Sequence, residues 1–102
     1  MDSDNGNERA ERQPLFSLGQ VFATPRALAA LQTTGQQPFE FLHRHVSGDW
    51  GDLVDEDIQE NERALEHGSR LFSAYGLNDG TRIWIITEYD RSATTILLPM
   101  EY

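Results

Sequence analysis

The chain has 102 residues, 38% of them hydrophobic, a formal net charge of -9 and a mean hydropathy of -0.55. That length suits one domain around one modest core, and the charge argues against a general affinity for nucleic-acid phosphates, which clustered Lys and Arg would supply. The absence of cysteine excludes disulfides and thiolate metal sites.

Residues 1–14 are polar, end at Pro14 and read as a disordered tail. Met1 is followed by Asp2, Ser3 and Asp4, so no signal peptide is expected and the chain reads as cytoplasmic. Loose alternation then predicts a short strand over Gln20–Ala23. Thr24-Pro25 starts a first helix, since Thr caps free N–H groups and Pro at the first position loses none. Ala27, Leu28, Ala30 and Leu31 give its apolar stripe, and Gly35 stops it. A second helix starts at Pro38, with Phe39, Leu42 and Val46 as its stripe, and ends near Ser47-Gly48.

Gly48-Asp49-Trp50-Gly51-Asp52 reads as an irregular loop with a pinned indole. A third helix begins near Asp52 or Asp55 and runs to about His67, where Gly68 ends it. Carboxylates crowd its first turn, where the helix dipole favours them, and Leu53, Ile58, Ala64 and Leu65 form its core side. Beyond Gly68 the hydrophobic period changes from 3.6 to 2. Strands are predicted over 70–75, 82–89 and 93–98, joined by the Asn78-Asp79-Gly80 turn and the Asp90-Arg91-Ser92 turn. The expected fold is therefore α+β: a short N-terminal strand, three helices, then a three-stranded antiparallel meander. Helices cover one face of that meander. The other, with Trp84, Ile86 and Phe72, is covered by a dimer partner, the N-terminal segment or a target protein, unless the helices and the first strand wrap both sides. The longest apolar run, Ile83-Trp84-Ile85-Ile86, is far short of the roughly 20 residues of a membrane span.

All eight basic residues are arginine, and the acidity is uneven: eight carboxylates against Arg63 between Asp49 and Glu66 contribute seven of the nine net negative charges. Asp49, Asp52, Asp55 and Asp57 do not meet the calcium-loop pattern, so a solvated acidic face is expected, with no metal and no cofactor. His43 and His45 fall on different sides of a helix and do not make a metal pair. No nucleotide-binding loop and no G-x-S-x-G occurs.

Two functional readings follow. Acidic helix three can imitate the phosphates of DNA and attract a basic nucleic-acid-binding defence protein; Asp49, Trp50, Asp52, Asp55 and Glu56 then form the binding surface of a protein-binding, non-enzymatic chain. Alternatively, His45, Arg70, Arg91 and Thr95, with Tyr75, are suitable types for metal-independent RNA cleavage, which needs a base, an acid and a phosphate-holding cation. The element order resembles the barnase/RelE-like small ribonuclease architecture.

The run His45-Val46-Ser47-Gly48-Asp49-Trp50-Gly51-Asp52-Leu53, followed by Asn61, Ala64-Leu65, Gly68, Ser73-Ala74-Tyr75, Trp84-Ile85-Ile86-Thr87-Glu88 and residues 90–99, carries a further resemblance. It is similar to a family of small proteins of bacterial plasmids and other mobile elements, some labelled plasmid-related and some restriction-system subunits. The resemblance spans roughly residues 15–102. It implies an accessory role on a mobile element; the open sheet face admits a homodimer, and the charge and the short apolar runs speak against direct DNA binding and a membrane. The chain itself carries no methyltransferase motif.

Overall fold

The computed structural model describes residues 13–102; residues 1–12, most of the expected tail, lie outside the described residues. The elements are β1 (Gln20–Ala23), α1 (Pro25–Thr34), α2 (Pro38–Val46), α3 (Asp55–His67), β2 (Leu71–Gly76), β3 (Arg82–Thr87), β4 (Ala93–Leu97) and a closing 3-10 turn (Pro99–Glu101). Local chemistry explains their bounds. The Thr24 hydroxyl accepts the Ala27 N–H at 3.0 Å, and Pro25 follows at the first helical position. Gly35 and Gly68 end α1 and α3 in the left-handed conformation, which glycine adopts without steric cost.

The sheet is four-stranded and mixed, in the order β1-β4-β3-β2. The three C-terminal strands pair antiparallel as expected. The expectation of a separate three-stranded meander is corrected in one respect: β1 joins it as a fourth strand, parallel to β4, with Gln20 opposite Ala93 and Ala23 opposite Ile96. A parallel neighbour requires a long crossover, and the three helices between β1 and β2 allow that return.

Strand alternation splits the sheet into two unlike faces. Leu71, Ser73, Tyr75, Ile83, Ile85, Thr87, Thr94 and Ile96 point to the first face, and all are buried. Ala27 and Leu31 of α1 and Phe41 of α2 close over Tyr75, Ile83, Ile85 and Ile96 as the main core. Trp50, Ala64 and Leu71, with Phe16, Leu53, Ile58 and Leu65 against them, form a smaller core under α3. The buried side of α2 is Phe41, His45 and Val46, whereas Phe39, expected in its core stripe, is 72% exposed. Phe72, Trp84, Ile86, Thr95, Leu97 and Phe22 lie on the second face.

The outer edge of β2 is closed. The Asn61 side chain donates to the Phe72 carbonyl at 2.7 Å and accepts the Phe72 N–H at 3.1 Å. Two residues on, Ala74 donates to Trp50 O and accepts from Asp52 N–H, so the 50–52 loop lies along the strand as a short parallel bridge. Gly51 makes that approach possible: a Cβ there would collide with the Ala74 carbonyl. An unpaired strand edge invites aggregation, and here two side-chain bonds and a loop remove the invitation. Replacing Asn61 with Ala leaves both Phe72 backbone groups unpaired at a covered edge. The expected loss is about 2 kcal/mol of folding stability, read from the urea midpoint; an unshifted midpoint would mean that Asn61 does not hold this edge.

Candidate functional site

His45 has no exposed surface. Its ring sits between α2 and the first sheet face, with Nδ1 2.5 Å from Ser73 Oγ and Nε2 2.9 Å from Thr87 Oγ1. Thr87 Oγ1 lies 2.7 Å from Thr94 Oγ1, and Thr94 donates to the Leu18 carbonyl at 2.7 Å. A hydroxyl has a single proton to give, which fixes every direction. Thr94 spends its proton on Leu18, so Thr87 donates to Thr94. Thr87 can then only accept from His45, so Nε2 carries the ring proton. Nδ1 is left as an acceptor for the Ser73 hydroxyl. Burial holds the His45 pKa down at about 3, and the charge of nearby Arg91 adds to the effect. The imidazole is therefore neutral at physiological pH.

Phe16 closes this chamber. Its ring meets His45 edge-on at 5.1 Å and stacks on Trp50 at 6.2 Å. Trp50, expected on a binding surface, is instead a core residue, 4% exposed, with its indole N–H donated to Glu62 at 3.1 Å. Aromatic rings bring large apolar area and need one polar partner; Trp50 has both inside the fold.

The arginines and Thr95 do not join His45 around one substrate position. Arg91 adopts a positive φ of 61°. Its Nη1 donates to the carbonyls of Ser69, Glu88 and Tyr89, and its Nη2 to that of Ala64. It caps the C-terminal end of α3 and ties it to the β3–β4 turn, an arrangement that the planar guanidinium fork suits. Burial lowers its pKa, while Phe16, with its ring centroid 5.8 Å from the guanidinium, lies against both Arg91 and His45. Arg70 donates to the Tyr102 hydroxyl at 2.9 Å and lies 3.7 Å from Glu88, at the rim of a groove on the second sheet face. Thr95 points to that second face, because its neighbour Thr94 points to the first. Tyr75 is buried, donates to the Asp49 carbonyl at 2.6 Å, and burial pushes its phenol pKa up. The expected constellation of His45, Arg70, Arg91 and Thr95 is thus divided by the sheet, and its histidine has no path to a substrate. Ser73 and Thr87, which sequence reasoning missed as His45 partners, were signalled by their inward positions among Leu71, Tyr75, Ile83 and Ile85.

The acidic residues are placed differently. Asp52, Asp55, Glu56, Asp57, Glu60, Glu62 and Glu66 are all exposed. Asp49 accepts from Arg44 Nε at 2.8 Å and from the Gly51 N–H, so it holds the loop together, and Asp52 lies 3.4 Å from Arg82. Gly48, Asp49, Trp50, Gly51, Ile58 and Glu62 bound a shallow depression of about 470 Å³ between loop and helix. Among the described residues no group of three His, Asp or Glu is arranged to hold a metal ion, and no helix is long and apolar enough to cross a membrane. Comparison with protein-family models, with curated proteins and with solved structures returned no match.

The neutral His45 gives a pH signature. In the unfolded chain its pKa is near 6.5 and in the fold about 3, so between those values the unfolded state binds more protons. Its contribution to stability is complete above pH 6.5 and is lost as pH falls toward 3. At about 1.4 kcal/mol per unit, the loss is roughly 2 kcal/mol between pH 7 and pH 5, above the range in which Asp79, Asp90 and Glu101, whose pKa values are lowered, exchange protons. Urea titrations at the two pH values should show this fall, and His45→Gln, though less stable throughout, should flatten it. A parent chain equally stable at both pH values would contradict a buried neutral imidazole.

Proposed function

We infer that this chain is a non-enzymatic binding protein whose α3 surface and preceding loop engage a basic partner. The observation that carries this reading is the exposed carboxylate array on α3. Residues 55–66 span about 17 Å of helix axis at 1.5 Å per residue. Along them six exposed carboxylates face the solvent with Arg63, about one net negative charge per 3.3 Å. A DNA strand carries one per roughly 3.4 Å. A protein evolved to grip phosphates meets a similar linear charge density here, and the same electrostatic steering applies.

The wall-to-wall use of His45 and Arg91 inside the fold supports a binding role over a nuclease role. The resemblance to mobile-element proteins adds a setting: an accessory factor, of anti-defence type, acting on a basic nucleic-acid-binding protein of the host. On this reading Asp52, Asp55 and Glu56, all exposed, make first contact, with the loop depression beside them.

A charge-neutralised chain carrying Asp55→Asn, Glu56→Gln and Glu60→Gln tests the idea, since all three residues are exposed. It should melt slightly lower, because two first-turn carboxylates are lost, yet stay folded at the assay temperature and lose at least tenfold in affinity for the protein that the parent chain captures, and the parent complex should weaken steeply with added salt. Equal capture by both chains would refute the acidic surface. Cellular RNA decay on expression, abolished by Arg70→Ala, would refute the non-enzymatic reading.

A further inference from the structure

The second sheet face has a knob at one side and a hole at the other. The strand register places Phe22, Thr95, Ile86 and Phe72 in one row across β1, β4, β3 and β2. Phe22, at the β1 end, is 51% exposed. At the β2 end lies an apolar groove of about 300 Å³, walled by Phe72, Trp84, Ile86 and Tyr102 with Arg70 at its rim. Phe72 meets Trp84 edge-on at 4.9 Å and Trp84 meets Tyr102 at 5.7 Å, so the groove is an aromatic box. Knob and hole are about three strand spacings apart, roughly 14 Å.

We propose that this face pairs with a second copy of the chain, each Phe22 entering the aromatic groove of the other. A row whose two ends are complementary meets itself through a two-fold axis. With the axis along the strands between β4 and β3, β1 of one copy lies over β2 of the other. Phe22 then stands over the other copy's Phe72, beside the wall that Tyr102 makes over Trp84. Face-to-face sheets pack about 10 Å apart, which side chains of this size fill.

Charge favours a copy as the occupant. A chain of net charge -9 repels itself, and most of its excess charge lies on α3. On the second face the charges come in opposite pairs, Arg70 with Glu88 and Arg82 with Asp52, so repulsion is least there. Residues 1–12 contain no large apolar residue except Met1 and offer nothing of the right chemistry for the groove. Four strands about 4.8 Å apart and five residues deep make a face of about 19 by 17 Å. Ile86 and Leu97 within that outline are already buried in the single chain, so the contact is well below the roughly 800 Å² per partner of a standard interface and association no tighter than the micromolar range is expected.

Sedimentation of the full chain over a concentration series should give a species of twice the single-chain mass with a micromolar midpoint. Phe22→Asp, at a half-exposed position, should keep the melting curve and shift that midpoint at least thirtyfold. The chain has no cysteine, so mixed Phe22→Cys and Phe72→Cys chains should cross-link in air faster than Phe22→Cys chains alone. A single-chain mass up to about 100 µM would overturn the proposal. A dimer indifferent to Phe22→Asp would overturn it too, as would preferential cross-linking of Phe22→Cys to itself, which indicates pairing along the β1 edges.

Discussion

The fold depends on one chain of buried hydrogen bonds, from Ser73 through His45, Thr87 and Thr94 to the Leu18 carbonyl. It ties α2, β2, β3, β4 and the segment before β1 at one end of the first sheet face. Each bond contributes only about 1 kcal/mol net, but removing any member strands its neighbours in a dry interior. The network therefore matters most for uniqueness. A one-residue slip of β3 would turn Thr87 to the second face and leave His45 Nε2 without its acceptor. Apolar residues at the same places would tolerate that slip far better.

That investment engages both nitrogens of the buried imidazole within the fold. The imidazole is neutral, enclosed and hydrogen-bonded at both nitrogens. Arg91 spends its guanidinium on four carbonyls, and those bonds hold its own backbone in the left-handed region that costs a non-glycine residue about 1 kcal/mol or more. What remains available lies outside: a carboxylate-rich helix surface and an apolar sheet face with balanced charge. They differ in chemistry, one charged and one apolar.

The parts of this architecture set by local chemistry were legible. Thr24-Pro25 and Pro38 mark helix starts, Gly35 and Gly68 mark stops, and Asp79-Gly80 marks a hairpin, because caps and positive-φ positions are decided by a few neighbouring residues. The parallel pairing of β1 was not legible, since periodicity identifies a strand but not its neighbour. Helix α2 shows why the polar core was missed. Phe39, Phe41, Leu42 and Val46 permit two stripes about a third of a turn apart. The stripe through Phe39 keeps histidine out of the interior, and the stripe through Phe41 and His45 buries it. The second wins because Ser73 and Thr87 wait on the sheet with matching hydroxyls, a fact available only once register is known. Trp50 was recognised as pinned, but its direction depended on Glu62 and Phe16, twelve residues ahead and thirty-four behind.

The acidic helix gains nothing from most of its charge. Asp55, Glu56 and Asp57 sit in the first turn, where the dipole welcomes them. Farther along, Glu56 and Glu60, and Glu62 and Glu66, are like-charged at i,i+4 spacing, which costs a few tenths of a kcal/mol per pair. Arg63 relieves Glu60 at 3.0 Å, but both side chains are largely exposed and such a pair is weak. The helix is held by its buried side, through Asn61 on the β2 edge and Ala64 in the small core, and by Glu62 beneath the Trp50 indole. Neutral side chains at Glu60 and Glu66 would serve that packing equally well. Glu62 apart, the charge beyond the first turn therefore adds nothing to the packing that holds the helix.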